Sequence, residues 1–199
     1  MNALVLATEL AKRPVVTLGG EAVAQIKDTV FDSPAGRIAG FTLSGRGLLA
    51  GPLKQSLPWS SVHALGRQAV MIPGREALAA AGVVVASGEA AQGDVLGVRV
   101  VTDAGAEAGT VLDVVVERGG RMAGFRIAAA EPLDPRRRSV FVPREEVLAV
   151  SGQALVIPAA PRHLVADELP SFTTQVEMYL ARQAAPRPGA VREGGERTW

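Results

Sequence analysis

Gly36-Arg37-Ile38-Ala39-Gly40-Phe41 returns as Gly120-Arg121-Met122-Ala123-Gly124-Phe125, a shift of 84 residues. Around this pair the rest of the chain falls into step. At a shift of 85, Val15-Val16-Thr17 meets Val100-Val101-Thr102, Gly20 meets Gly105, and Asp28 meets Asp113. Further on, Pro58 meets Pro143, Val62 meets Val147, Gln68-Ala69 meets Gln153-Ala154, and Ile72 meets Ile157 at the same shift of 85. One order and one near-constant offset across both halves mean that a single unit is duplicated.

Each copy reads as β structure. Thr110 to Val116 is rich in β-branched residues, which suit a pleated and half-buried surface. Gly119-Gly120 supplies the positive φ of a tight hairpin, and Met122 to Ala128 is the return strand. Ala24 to Phe31 and Ile38 to Leu43 repeat the pattern around the longer turn Asp32 to Gly36. Later in each copy a short strand ends in proline, at Leu57-Pro58 and Val142-Pro143. A brief helical turn follows, and then a closing strand, Ala69 to Ile72 or Ala154 to Ile157. Five or six short strands in so small a unit argue for a closed or nearly closed barrel, which removes exposed sheet edges.

The fold class is therefore mainly all-β: two tandem small β-barrels with short helical turns, a helical linker and a C-terminal amphipathic helix. The expected boundaries are 1–74 for the first barrel, 75–82 for the linker and 83–158 for the second barrel. The C-terminal helix takes 159–184 and a flexible tail 185–199. Arg75 to Ala81 reads as helical turns ended by Gly82, and Val83 to Ala86 as the counterpart of the first strand, Leu4 to Leu6. Ser171 is the expected N-cap of a helix carrying Phe172, Val176, Tyr179 and Leu180 on one face.

These residues, in this order, resemble the PRC-barrel family, named for the photosynthetic reaction-centre H subunit and found also in a ribosome-maturation factor. The opening "A-S-E-L" turn is matched by Ala7-Thr8-Glu9-Leu10, and the valine strand with its glycine turn by Pro14 to Glu21. The "G-K-V-x-D-V-V-x-D" strand is matched by Gly109 to Val116 and, with Ala24 in place of glycine, by Ala24 to Asp32. Val142-Pro143 to Val147 carries the "V-P-x-x-x-V" element, altered to Leu57-Pro58 to Val62 in the first copy. The resemblance covers roughly residues 3–73 and 83–158. It implies a compact barrel that serves protein interaction without an activity of its own. The second half of the ribosome-maturation factor's architecture has no counterpart here.

Composition narrows the function further. Hydrophobic residues make up 48% of the chain but aromatics only 4%, so Val, Leu, Ile and Ala are expected to fill the cores. The 21 basic and 20 acidic residues nearly cancel, unlike a domain held to nucleic acid by phosphate neutralisation. With no cysteine, disulfides, thiolate ligands and thiol nucleophiles are excluded. No apolar run approaches the length of about 18 residues that reads as a membrane span. A signal peptide is not recognisable at the N-terminus either, so the expected location is the cytoplasm.

Chemistry is sparse. His63 and His163 are the only histidines and have no co-ligands at metal-binding spacing. Gly45-Arg46-Gly47 lacks the third glycine of a dinucleotide fingerprint. Asp28 and Asp113 recur once per copy, which fits carboxylates that accept hydrogen bonds from turn amides better than an acid–base pair. Arg136-Arg137-Arg138, beside Glu131 and Asp134, reads as a solvated hairpin tip rather than a phosphate site. No catalytic residue, metal or cofactor is assigned, and the protein is expected not to be an enzyme.

The segment that departs from the plain barrel is Gly45 to Trp59. It sets Arg46, Leu48, Leu49, Lys54 and Trp59 close together in sequence, the composition of an interaction hot spot. Alternatively its leucines close the barrel or fill the seam between barrels. The expected function is a non-catalytic adaptor holding an unidentified protein partner, as a monomer or homodimer. An RNA- or ribosome-associated assembly factor is the second reading, with nucleic acid the less favoured partner.

Overall fold

The computed structural model describes residues 4–47, 50–87, 90–91, 95–131, 133–136, 138–160, 165–166 and 168–184. In the first copy the strands are β1 (Leu4–Leu6), β2 (Pro14–Thr17), β3 (Ala22–Asp32), β4 (Arg37–Ser44), β5 (Pro52–Pro58), β6 (Ala64–Leu65), β7 (Val70–Ile72) and β8 (Ala79–Ala80). Helix α1 (Ala81–Ser87) completes it. The second copy holds β9 (Ala90–Ala91), β10 (Arg99–Thr102), β11 (Glu107–Glu117), β12 (Met122–Ala129), β13 (Ser139–Pro143), β14 (Ala149–Val150), β15 (Ala154–Ile157) and β16 (Val165–Ala166). Helix α2 (Leu169–Ala184) ends it.

Strand order is the same in both sheets: β6-β7-β2-β3-β4-β5-β8 and β14-β15-β10-β11-β12-β13-β16. Each sheet curls into a half-barrel, with one parallel pair, β2 with β7 or β10 with β15. The bulges repeat too, between Ile26 and Asp28 and between Val111 and Asp113. As read from sequence, β5 and β13 end in Pro58 and Pro143, and 3-10 turns follow at Trp59–Ser61 and Arg144–Glu146.

The first strand of each copy joins the other copy's sheet. β1 pairs antiparallel with β11, setting Val5 opposite Val116 and Leu6 opposite Val115. β9 does the same to β3, with Ala90 opposite Phe31 and Ala91 opposite Val30. Shifting every residue of the first pairing by 85 gives the second, so the exchange obeys a pseudo-two-fold axis. The axis passes where Arg37 bridges Arg121. Reciprocal bonds flank that point: Ile38 N–H donates to the Gly120 carbonyl and Met122 N–H to the Gly36 carbonyl, both at 2.8 Å. The two interiors merge into one apolar cluster running from Val15 and Phe41 to Val100 and Phe125.

The exchange explains the Val114-Val115-Val116 run. Val114 and Val116 face the merged interior, while Val115 joins Phe141, Phe172 and Val176 on the sheet's outer side, with Leu4 and Leu6 against them. A strand covered on both faces loses its polar alternation. Aliphatic residues dominate the interior, yet all five phenylalanines are buried as well.

Several expected boundaries change. Val83 to Ala86 is not a strand but part of α1, which runs through Gly82 instead of ending there. The expected linker 75–82 is a 3-10 turn, Arg75–Ala77, followed by β8 paired on β5. The helix after the second barrel starts at Leu169, so Ser171 lies inside it rather than capping it. β8 with α1 and β16 with α2 are the same element in two copies. Each helix lies over a glycine of the neighbouring strand: a Cβ at Gly40 would stand 2.8 Å from Val84 Cγ2, and one at Gly124 would stand 2.7 Å from Phe172 Cζ. The side chains of Tyr179 and Leu180 and the expected tail 185–199 lie outside the described residues.

Candidate functional site

Because β1 belongs to one sheet and β2 to the other, the chain between them crosses from barrel to barrel. That crossing, through the 3-10 turn Ala7–Leu10, opens a cleft of about 440 Å³. Leu4, Val5 and Leu65 supply its apolar wall, and Glu9, Arg13, Arg67, Gln68 and Arg118 its polar one. Register places Arg118 here, since it follows Glu117, the partner of Leu4. The β6–β7 hairpin, closed by the Gly66 N–H to Ala69 carbonyl bond at 2.9 Å, brings in Arg67.

Backbone carbonyls hold Arg13 in place. Its guanidinium donates to the Gly66 carbonyl at 2.7 Å and to the Glu9 carbonyl at 3.2 Å. Burial lowers its pKa from the ordinary arginine value; the Glu9 charge opposes this and the Arg118 charge adds to it. Arg67 and Arg118 are exposed. Neither forms an ion pair with a described residue. Three guanidinium groups thus share the cleft with one carboxylate.

The related corner of the other barrel lacks all three. At a shift of 85, Arg13 becomes Val98, Arg67 becomes Gly152, and Arg118 corresponds to Ser33. Hydrogen bonds confirm the equivalence: Ile26 N–H donates to the Arg13 carbonyl as Val111 N–H donates to the Val98 carbonyl. The mate corner is thus built without these arginines, and among the described residues only Arg13 of the three has hydrogen-bond partners within the first barrel.

The segment chosen from sequence does not form one patch. Arg46 sits in a turn closed by the Gly45 N–H to Gly51 carbonyl bond at 3.1 Å, and its guanidinium donates to the Ala22 carbonyl at 3.2 Å. Lys54 is exposed on β5, and Leu53 packs half-buried against the core. Trp59 lies past the far end of β5, a strand length of about 20 Å from the turn. Leu48 and Leu49 lie outside the described residues. Half-buried Trp59 packs on Phe41 with ring centroids 6.2 Å apart. Its indole covers Gly120, whose φ is +84°, and a Cβ there would overlap the ring. Arg144 is the residue related to Trp59, and it stands over Gly36 with Nε 3.9 Å from where a Cβ would be.

The remaining sequence candidates take structural partners. Asp113, 4% exposed, accepts from Thr8 N–H at 3.2 Å, from the Thr8 hydroxyl and from Val114 N–H at 2.8 Å. It thereby ties the exchanged turn to the second barrel. Asp28 accepts from the Thr42 hydroxyl at 3.0 Å and lies 3.5 Å from Lys27. Asp134 accepts from Arg136 N–H at 3.1 Å, Arg138 N–H at 3.3 Å and Arg138 Nε at 2.9 Å. Arg137 and His163 lie outside the described residues, and His63 is exposed. Among the described residues no three His, Cys, Asp or Glu gather as metal ligands.

Sequence reading passed over Arg13, Arg67 and Arg118, which span more than a hundred positions. The usable signal was the repeat itself, in which these arginines face Val98, Gly152 and Ser33. Comparison with known families gives one result in keeping with the architecture: the family model of the PRC-barrel domain matches residues 4–79 and again 88–163. No curated protein matches the chain.

Proposed function

Given that the chain belongs to the PRC-barrel domain family and carries the domain twice, we propose that it is a non-catalytic interaction module, a double barrel that holds a protein partner. The observation carrying this reading is the one-sided arginine corner on a two-fold frame. Strand exchange joins the sheets, so residues from both copies hold a fixed spacing around the cleft. Preorganised spacing limits the entropy lost on binding. The proposed setting is the cytoplasm.

The test is affinity capture from the native cell with wild type and the Arg67→Glu/Arg118→Glu variant, followed by reconstitution from purified components. A defined complex with one protein, stable to nuclease, is the expected result. Capture of RNA alone, lost on nuclease treatment, would replace this reading with the RNA- or ribosome-associated one. Arg138 is already paired with Asp134, which leaves that reading less to stand on.

A further inference from the structure

Resting on that reading, we propose that the cleft between β1 and the β6–β7 hairpin docks an acidic segment of the partner, with side-chain carboxylates seated among Arg13, Arg67 and Arg118. Like charges gathered in one cleft are unfavourable unless a counter-charge arrives, and Arg67 and Arg118 present the planar fork that carboxylates fit, with Arg13 adding its charge. Several arginines elsewhere in this protein have their counter-charge in place, while Arg46 and Arg144 donate to carbonyls. Arg75 is paired with Glu21, and Arg121 with both Glu117 and Glu145. In the cleft, Arg13 is held by carbonyls, and Arg67 and Arg118 have no carboxylate partner among the described residues.

The apolar wall of Leu4, Val5 and Leu65 suits a polypeptide better than a free inorganic anion. A single-stranded nucleic acid is held by stacking its bases on aromatic rings as well as by charge, and no ring lines the cleft. Glu9 shares the cleft and repels an incoming carboxylate, which sets a test of opposite sign.

The probe is a fluorescent oligoglutamate of about eight residues, titrated by anisotropy at about 50 mM salt so that screening is weak. Saturable one-to-one binding is expected. It should weaken by about tenfold or more, or about 1.4 kcal/mol, in Arg67→Glu/Arg118→Glu. Glu9→Gln should tighten it by about two- to threefold. Arg46→Glu/Lys54→Glu should leave it within about twofold, because those cations lie elsewhere. Melting temperature checks folding, and Arg67→Gln/Arg118→Gln replaces the reversal if that variant is destabilised.

Absence of binding, equal losses in the two charge-reversal variants, or tighter binding of an oligouridylate of the same charge would each overturn the proposal. If oligoglutamate fails while the cellular partner is retained by Arg67→Glu/Arg118→Glu, only the cleft assignment falls. If oligoglutamate binds as expected but no protein partner can be reconstituted, the module reading falls and the cleft stands.

Discussion

Two corners of this molecule share strand pairing over their described residues and differ in side chains. Around the first, Arg13, Arg67 and Arg118 meet; around its two-fold mate stand Val98, Gly152 and Ser33. Positions that repeat include ones the frame needs, such as Gly36 with Gly120 and Gly40 with Gly124. Duplication thus supplies an internal control. A charged group present in one copy alone, exposed and without an internal partner, is a candidate for a role outside the barrel's construction.

The largest break in the comparison is expected at the seam. Gly120→Ala forces a side chain into the Trp59 indole at a positive φ and should destabilise by about 2–4 kcal/mol. Gly36→Ala bears only the strain of a φ of +64° and should cost about 1 kcal/mol. Urea unfolding midpoints of the two variants measure the gap.

A smaller contrast separates the repeated aspartates. Asp113→Ala removes the acceptor of the buried Val114 amide and of the Thr8 amide and hydroxyl, for about 1–3 kcal/mol. Asp28→Ala acts on a side chain 44% exposed and should cost under about 1 kcal/mol. Equal losses would mean that the exchanged turn is not anchored as described.

Acid should distinguish the loops before β13 and β5. Hydrogen bonds, first from the Arg136 amide, hold the Asp134 carboxyl below the ordinary aspartate pKa. A lowered folded-state pKa gives stability that is present above the unfolded value and lost as the pH falls through the folded one. Protection of the Arg136 and Arg138 amides should therefore fall only below about pH 4, and Gly45, whose turn holds no carboxylate, should show no such step.

The smallest effect is expected where function is proposed. Arg118→Ser with Arg67→Gly, which copies the bare corner onto the charged one, should change stability by less than about 0.5 kcal/mol. A loss well beyond that in thermal unfolding would make the arginines structural.

Local pattern carried the repeat and most strands into view, because β-branched runs, turn glycines and strand-ending prolines act over a few residues. Partnership between distant strands was hidden. Leu4-Val5-Leu6 reads as a strand but does not say whose. Val83-Val84-Val85 reads as a strand by propensity, yet it folds as a helix whose Val84 fills the space above Gly40. The strand role passes to Ala90–Ala91, which has little β character of its own. Trp59 was visible as an unusual residue, but its burial over Gly120 depends on the two-fold axis. The cleft stayed out of sight for the same reason: its arginines meet only after the strands exchange.

The exchange itself is open to direct trial, since the chain has no cysteine to interfere. Val5→Cys/Val116→Cys joins positions set opposite each other across β1 and β11, within the Cα separation of about 4.4–6.8 Å that a disulfide tolerates. Mild oxidation should yield a cross-linked monomer, and Val5→Cys/Phe31→Cys, which places the strand in its own copy, should stay reduced. Efficient cross-linking of the second pair and not the first would contradict the exchanged architecture and the cleft it creates.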